Sequence, residues 1–277
     1  MPDSGFLDVP GGRIYYEAEG TGHPIVLIHA GVANLRMWNG QASALAERYR
    51  VIRYDTRGFG LTESEDVAFS NRADLVALMD HLDAPSAHVC GLSRGGIIAL
   101  DFTLEHPQRV DALIFAAGGI GGWESGESSD PDARAFWEEA ERRWEAHDWE
   151  RLSDMETAFW VNGPGQPSDR VDQLIRDRVH DWILSNYRAQ KPEGTPQPLE
   201  PPAAGRLGEI TARTLVLVGD LDERGTQAAC RHLAESVSGA RLEVFEGAAH
   251  MLNLEQPERF ARVVLDFLAE VDAARVV

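Results

Sequence analysis

The stretch His88-Val89-Cys90-Gly91-Leu92-Ser93-Arg94-Gly95-Gly96-Ile97-Ile98 joins a short apolar run to a second apolar segment through the pentapeptide G-x-S-x-G. The first run is typical of a buried strand and the second of a helix. A serine on a sharp strand-to-helix turn sits in strained backbone, and glycines two residues before and after it let strand and helix approach closely. The stretch therefore predicts Ser93 as a nucleophile; the alternative is a glycine-rich helix start.

Apolar, β-branched runs recur on both sides of this stretch, with amphipathic segments between them. This alternation predicts parallel strands joined by helices, preceded by a hairpin that adds an antiparallel edge. The predicted strands lie at 6–9, 13–17, 25–28, 51–54, 88–90, 112–115, 214–218 and 242–245, and the predicted helices at 35–48, 70–82, 96–105, 226–237 and 257–270. We therefore expect an α/β fold, with a doubly wound, mostly parallel sheet of about eight strands.

One segment, residues 119–205, interrupts the alternation. It has no convincing strand and holds six of the seven tryptophans. Its proline-rich end, residues 191–202, is typical of an extended linker that returns to the sheet. We therefore expect residues 1–118 and 206–277 to form the core, and residues 119–205 to form a helical cap inserted in it.

Charge and cysteine content exclude several classes of function. The formal net charge of −19 makes nucleic acid and anionic membranes unsuitable partners, because an acidic surface repels both. Cys90 and Cys230 are far apart and suggest neither a disulfide framework nor a metal site. The N-terminus lacks a signal-peptide pattern, and no apolar run approaches the roughly 20 residues of a membrane-spanning helix. We expect a cytoplasmic protein, and the sequence is compatible with a homodimer.

A serine hydroxyl is a poor nucleophile near neutral pH, so a histidine must accept its proton and a carboxylate must orient the histidine. In a fold with this turn, the three follow one another in the order Ser, Asp or Glu, His. Asp220 and Asp222 follow the predicted strand 214–218, and His250 follows the strand 242–245. We predict Asp222 and His250, choosing Asp222 for its G-x-x-D spacing; the alternatives are a turn or helix-capping Asp and a structural His.

Attack on a carbonyl produces a negatively charged oxygen, which needs hydrogen-bond donors. The backbone N–H of Arg94 follows the nucleophile at a helix N-terminus, where the helix dipole favours negative charge. A second donor is expected from the loop after strand 25–28, which begins His29-Ala30-Gly31-Val32. We predict the N–H groups of Gly31 and Arg94 as an oxyanion hole; a turn glycine is a compatible role for Gly31.

With these residues in order, the chain resembles the α/β-hydrolase superfamily over nearly its whole length. The resemblance rests on the turn at Ser93, on Asp222, and on His29-Ala30-Gly31, Asp55-Thr56-Arg57-Gly58-Phe59-Gly60 and His250-Met251-Leu252-Asn253-Leu254-Glu255-Gln256-Pro257. Within the superfamily, Tyr54–Gly58 and Met37-Trp38 are similar to segments of the small carboxylesterases and 3-oxoadipate enol-lactonases. The resemblance implies that segment 55–60 is a structural loop beside the site.

The resemblance also implies that the cap is the lid of this family, whose aromatic side chains line an apolar pocket or form the lid's own core. The residues expected at the substrate pocket are Trp123, Trp137, Trp160 and Met251. The chain departs from the family in having Ala30 and Val32 where most relatives have Gly and Pro. It also has a permanent cation, Arg94, after the nucleophile, which either binds a substrate carboxylate or pairs with an acid such as Asp101.

The leading hypothesis is hydrolysis of a small-molecule ester or lactone. Ser93 attacks and forms an acyl-enzyme, His250 transfers the proton, and Asp222 orients His250. No metal or organic cofactor is expected. Two alternatives use the same residues: hydrolysis of a C–C bond in a ring-cleavage product, and cofactor-free perhydrolysis of the haloperoxidase type. A non-enzymatic alternative is a ligand-sensing protein of the same fold, although such proteins often lack one member of the triad.

Overall fold

The computed structural model describes residues 3–124, 131–192 and 194–275. Within them the strands are β1 (Asp3–Val9), β2 (Gly12–Glu19), β3 (Pro24–Ile28), β4 (Arg50–Tyr54), β5 (Glu63–Ser64), β6 (Ala68–Phe69), β7 (Ala87–Leu92), β8 (Val110–Ala116), β9 (Thr195–Pro196), β10 (Arg213–Gly219) and β11 (Arg241–Phe245). The helices are α1 (Asn39–Leu45), α2 (Asn71–His81), α3 (Arg94–Glu105), α4 (Pro131–Glu145), α5 (Trp149–Glu156), α6 (Gln173–Ala189), α7 (Arg224–Ser236), α8 (Leu252–Glu255) and α9 (Pro257–Arg275). A π-helical segment, Thr157–Asn162, directly follows α5.

The central sheet has the strand order β1-β2-β4-β3-β7-β8-β10-β11, and the short strand β5 pairs with β2. Strands β1 and β2 form an antiparallel hairpin, and β2 is also antiparallel to β4. All pairs from β4 to β11 are parallel. The predicted fold class, a mostly parallel sheet of about eight strands with helices and an antiparallel edge, is confirmed.

Helices α4, α5 and α6 and the π-helix lie in the chain between β8 and β10, in the segment predicted to be a cap, and this segment is called the lid below. The lid segment is not entirely free of strands, contrary to the prediction. Its return includes β9, which pairs in parallel with β6, and the Gln197 N–H donates to the Phe69 carbonyl at 2.7 Å. A Thr-Pro pair carries no β pattern of its own, and β9 is defined by its pairing with β6.

The sheet separates two apolar layers. One layer contains Leu78 of α2, Phe102 of α3 and Leu233 of α7. The other contains Trp38, Phe260 and Phe267, together with lid residues such as Val161 and Ile183. Burial of these side chains on both faces explains why the parallel strands are continuous apolar runs. In the described ranges, no helix is both long and apolar enough to cross a membrane.

The parallel arrangement decides where functional side chains meet. Strands β7, β10 and β11 all end at the same edge of the sheet, so the turns that follow them lie together. Ser93 follows β7, Asp222 follows β10, and His250 follows β11. A functional site is therefore expected at the carboxyl edge of the sheet, which faces the lid.

Candidate active site

Ser93 lies half-buried on the turn between β7 and α3, with φ 58° and ψ −118°. A positive φ is unfavourable for a residue with a side chain, so the flanking backbone must hold the turn in place. A Cβ on Gly91 would lie 2.0 Å from the Gly95 carbonyl oxygen, and a Cβ on Gly95 would lie 2.1 Å from that of Ile28. Neither position admits a side chain, which explains the G-x-S-x-G spacing.

The predicted acid and base are in direct contact. His250 Nδ1 lies 3.0 Å and 2.9 Å from the two carboxylate oxygens of Asp222, and their side chains are only 4% and 1% exposed. A carboxylate only accepts hydrogen bonds, so Nδ1 is the protonated nitrogen and its N–H donates a hydrogen bond to Asp222. His250 Nε2 is thereby left as the acceptor that a general base needs.

The neighbouring acids have structural roles. Asp220 is exposed and accepts the backbone N–H of Gly247 at 2.7 Å. Glu223 caps the start of α7 by accepting the N–H of Thr226 at 2.7 Å. Of the acids that follow β10, the structure thus pairs Asp222 with the histidine.

The nucleophile is anchored to the sheet rather than to the base. The Ser93 N–H donates to the Ala116 carbonyl of β8 at 2.8 Å. Within the described residues, the Ser93 hydroxyl makes no hydrogen bond to His250. Such bonds often tighten only when substrate is bound. The structure therefore brings Asp222 and His250 into contact and places Ser93 at the same sheet edge.

The two residues predicted to supply the oxyanion donors are adjacent. A Cβ on Gly31 would lie 3.5 Å from Arg94 Cδ, so the loop after β3 packs against the start of α3. His29 fixes this loop: its Nδ1 bonds the Ala30 carbonyl at 2.7 Å, and its Nε2 accepts the Thr56 N–H at 3.0 Å. Complete burial lowers the pKa of His29 to about 3, so the imidazole is neutral and structural.

Arg94 is held against the loop between β4 and β5. Its guanidinium hydrogen-bonds the Thr56 hydroxyl and lies over the Phe59 ring, with Cζ 4.9 Å from the ring centroid. Sequence reasoning considered an acid or a substrate carboxylate as its partner and missed these two. A hydroxyl and an aromatic face leave no sequence pattern that marks them as partners of a cation; Thr56 lies 38 residues before Arg94 in the chain.

The same loop is built by buried charges, as the resemblance implies. Asp55 accepts the N–H groups of Leu35 at 2.8 Å and Leu61 at 2.7 Å, and burial raises its pKa to about 6. Arg57 makes two 2.8 Å hydrogen bonds to the buried Asp74. Both charged residues of segment 55–60 therefore support the loop from within.

The residues expected at the substrate pocket lie in different places. Trp160, on the π-helix, is next to the base, with its ring centroid 4.4 Å from that of His250. Trp137 lies one ring farther out, 5.9 Å from Trp160, and is 52% exposed. Trp123 stacks on His232 of α7 at 4.9 Å. Met251 is fully buried in the core layer below the site.

A cavity of about 330 Å³ extends from Gly31 to the lid. Aromatic and aliphatic side chains from both the core and the lid form much of its wall. Its lining includes Gly31, Gly58, Phe59, Trp144, His147, Trp149, Ile183, Asn186, Tyr187, Gln190 and Lys191. Trp144, Trp149 and Tyr187 were not predicted, because composition shows that the lid is rich in tryptophan and does not show which way each ring points.

In the part of the chain that the structure describes, the side chains that could ligate a metal are not clustered. Across the described ranges, no group of three or more His, Cys, Asp or Glu side chains is arranged to hold an ion. Both cysteines are buried and free, and burial raises their pKa values, so they are thiols rather than thiolate ligands. The ionisable pair His250–Asp222 is better suited to proton transfer.

The chain is similar to known hydrolases over most of its length. The chain is 29% identical over 272 residues to a 2-hydroxy-6-oxononadienedioate/2-hydroxy-6-oxononatrienedioate hydrolase of Escherichia coli strain K12, covering 93% of this chain and 91% of that protein. A thermophilic esterase from Thermogutta terrifontis superposes with a TM-score of 0.78 at 25% identity, over 98% of this chain and 99% of the esterase. An enol-lactonase from Burkholderia xenovorans LB400 gives a TM-score of 0.77 at 24% identity, over 96% and 100%.

The family assignment follows from a broader match. The model of the α/β hydrolase fold family matches residues 23–257, which span the sheet from β3, the lid, and the turns that carry Ser93, Asp222 and His250. The structural neighbours include an esterase and an enol-lactonase, the groups that the sequence resembles. The chain is a hydrolase and belongs to the α/β-hydrolase fold family.

Proposed function

We propose that the chain is a serine hydrolase that cleaves a carboxylic ester or lactone through an acyl-enzyme on Ser93. The observation that carries the proposal is the buried His250–Asp222 pair at the sheet edge where Ser93 is held on a strained turn. The likeness to an esterase of 25% identity supports an ester as substrate.

In the proposed reaction, His250 Nε2 takes the Ser93 proton as the hydroxyl attacks the carbonyl carbon. Asp222 stabilises the positive imidazolium that forms. The N–H groups of Gly31 and Arg94 donate to the developing oxyanion, at the positive end of the α3 dipole. His250 then protonates the leaving alcohol, and water attacks the acyl-enzyme by the same route in reverse.

The proposed acyl pocket is the cavity beside Gly31, whose aromatic wall favours an apolar or aromatic acyl group; Ser93, Asp222 and His250 are not among its lining residues. It adjoins Gly31, and rings of Phe59, Trp144, Trp149 and Tyr187 contribute to its wall. Its volume of about 330 Å³ lies at the lower end of ligand pockets. The net charge of −19 disfavours a strongly anionic substrate.

Replacement of the nucleophile tests the proposal. The Ser93→Ala variant is expected to lose hydrolysis of p-nitrophenyl butyrate and of a short lactone by about 10³-fold or more, because no acyl-enzyme can form. A fluorophosphonate probe should label the unmodified protein and not the variant. Ser185→Ala, on the exposed face of α6, is the matched control and should retain both properties. Turnover retained by Ser93→Ala would contradict the assignment.

A second candidate is hydrolysis of a C–C bond, which the relative from Escherichia coli favours by its name and its 29% identity. The same base and oxyanion donors can assist attack on a ketone whose leaving carbon departs as a stabilised enolate. Parallel assays of the purified protein on p-nitrophenyl esters and on a ring-cleavage dienone separate the two candidates. A kcat/KM for the dienone far above that for all esters and lactones would favour the second.

A further inference from the structure

Arg170, between the π-helix and α6, joins the lid to the loop after β11. Its guanidinium donates to the carbonyl oxygens of Asn162 at 2.6 Å and Val161 at 2.7 Å, at the end of the π-helix. Its Nη1 donates to the Gly247 carbonyl at 2.7 Å and to the Glu255 carboxylate at 2.6 Å. One side chain therefore binds both sides of the contact between lid and core.

Glu255 holds the other end of the same loop. Its Oε1 accepts the N–H of Ala249, the residue before His250, at 2.8 Å. The side chains of Arg170 and Glu255 are only 13% and 6% exposed, so solvent screens their attraction less than it screens a surface pair. Loop 247–250 is thus fixed at both ends by one ion pair.

The lid segment that Arg170 binds also touches the base. Trp160 of the π-helix places its ring against His250. Gly163, at φ 93°, follows the π-helix and lies so close to the core that a Cβ would be 2.6 Å from the Leu221 carbonyl oxygen, in the loop that carries the acid. The end of the π-helix is therefore packed on both loops of the acid–base pair.

We propose that Arg170 and Glu255 form a positioning clasp, which couples the seating of the lid to the alignment of His250 with Ser93. This inference rests on the proposed serine hydrolase function. Loss of Arg170 removes the bonds to the end of the π-helix and to Gly247, and loss of Glu255 removes the bond to the Ala249 N–H. Either loss leaves the charge of the other partner unpaired. Because proton transfer depends on the position of the imidazole to within a fraction of an ångström, the clasp acts on kcat rather than on KM.

The charges of the clasp also act on the acid–base pair. Burial raises the pKa of Glu255, Arg170 opposes that rise, and the Asp222 carboxylate adds to it, so the two acids interact electrostatically. In the described ranges, the charged side chains hydrogen-bonded to the histidine loop include Asp220, Asp222, Glu255 and Arg170, and the exposed Glu246 precedes the loop. Loss of the Glu255 charge should disfavour a protonated imidazole, whereas loss of the Arg170 charge should favour it.

Variants of both partners test the clasp. In Glu255→Gln and Arg170→Gln, kcat on p-nitrophenyl butyrate is expected to fall about tenfold or more, with KM changed less than about twofold. The acid limb of the pH–rate profile should move to lower pH in the first variant and to higher pH in the second. Arg170→Lys keeps the charge without the planar fork, and should restore the position of that limb but not kcat.

The matched control is Arg259→Gln. Arg259 also binds a backbone carbonyl, that of Val244 at 2.8 Å, and a carboxylate, that of Glu243 at 3.2 Å, but these partners lie on β11 rather than on loop 247–250. This variant should lose some thermal stability and keep the kcat and pH profile of the unmodified protein. If the clasp acts on His250, kcat and the pH profile should change in the clasp variants and not in the control.

A second measurement does not depend on turnover. Protonated imidazole quenches indole fluorescence, so the emission of Trp160, obtained by subtracting a Trp160→Phe variant, reports the protonation of His250. In a Ser93→Ala background, its titration midpoint should move in opposite directions in the two clasp variants. If Ser93→Ala still hydrolyses esters, the proposed function fails, and this titration still decides about the clasp. Folded variants with unchanged kcat and midpoint, or with midpoints shifted the same way, would overturn the clasp.

Discussion

Asp222 uses its carboxylate in two ways. Both oxygens lie within 3.0 Å of His250 Nδ1, and one of them also accepts the Glu223 N–H at 2.7 Å. The second bond ties the acid to the start of α7, so the carboxylate cannot rotate away from the imidazole without losing it. At the scale of the residue, Asp222 therefore selects the tautomer of His250 and fixes the plane of its ring.

The Asp222→Asn variant tests this role. The amide N–H₂ group can present a donor to Nδ1, which favours the tautomer with its proton on Nε2 and removes the acceptor that Ser93 needs. We expect kcat for ester hydrolysis to fall about 10³- to 10⁴-fold with the fold intact.

Asp220→Asn is the control for this change. Its exposed side chain only caps the turn at Gly247, so kcat should stay within about twofold and stability within about 1 kcal/mol. Equal losses of kcat in the two variants, in a steady-state ester assay, would show that Asp222 does not act through His250.

At the scale of the element, the lid has a buried carboxyl group at the junction of α5 and the π-helix. Glu156 is 9% exposed and accepts the Tyr187 hydroxyl of α6 at 2.6 Å. Burial raises the pKa of Glu156 from 4.5 to about 7, although the Tyr187 hydrogen bond opposes the rise. Because Tyr187 also lines the cavity, the charge of Glu156 lies directly behind the proposed substrate pocket.

The sign of the effect follows from this raised pKa. The folded lid holds the Glu156 proton more tightly than the unfolded chain does. The contribution of Glu156 to stability is therefore fully present below about pH 4.5 and is lost as the pH rises through about 7. Glu156→Gln keeps an acceptor for Tyr187 and cannot ionise. We compare the free energy of unfolding of the variant with that of the unmodified protein. We expect this difference to be more favourable to the variant at pH 8 than at pH 5, by up to about 3 kcal/mol.

Urea unfolding at both pH values measures this gain. Glu145→Gln, at the exposed end of α4, removes the same charge from the lid surface and should show almost no pH-dependent difference. A Glu156→Gln protein whose stability tracks that of the unmodified protein at both pH values would contradict the burial argument.

At the scale of the whole molecule, the chain carries far more negative than positive charge. Acidic residues number 45 and basic residues 26, and only one of the latter is lysine. Arginines in the core and lid bind carboxylates and carbonyls, as Arg57 and Arg170 do, which leaves a largely acidic surface. Repulsion among these surface charges opposes the compact state and is weakened by salt.

Thermal unfolding at different salt concentrations tests this balance. Raising KCl from about 0.01 M to about 1 M shortens the screening length from about 30 Å to about 3 Å. We expect the Tm at pH 8 to rise over this range, and the rise to shrink near pH 5, where protonation lowers the net charge. A Tm that falls with salt would show that attractive ion pairs outweigh the repulsion.

Much of the fold and the acid–base set is readable in the sequence, because local chemistry demands particular residues at particular spacings. Close backbone contacts around Ser93 require glycine at positions 91 and 95. The G-x-S-x-G spacing therefore shows this requirement directly in the sequence. Apolar runs mark strands buried on both faces, and parallel strands bring their carboxyl ends to one edge. The order of Ser93, Asp222 and His250 after such strands was therefore sufficient to predict the contact of acid and base that the structure contains.

The directions of the aromatic rings in the lid and the contact between Arg170 and Glu255 depend on tertiary structure and could not be predicted from the sequence. Trp123 and Trp160 are alike in sequence, yet one stacks on α7 and the other on His250, because helix packing sets the direction of each ring. Arg170 and Glu255 are 85 residues apart in the chain, and no local sequence pattern around either residue predicts the other as its partner. Sequence periodicity indicates which face of an element is apolar. The packing of the whole molecule then determines which distant side chains come into contact with that face.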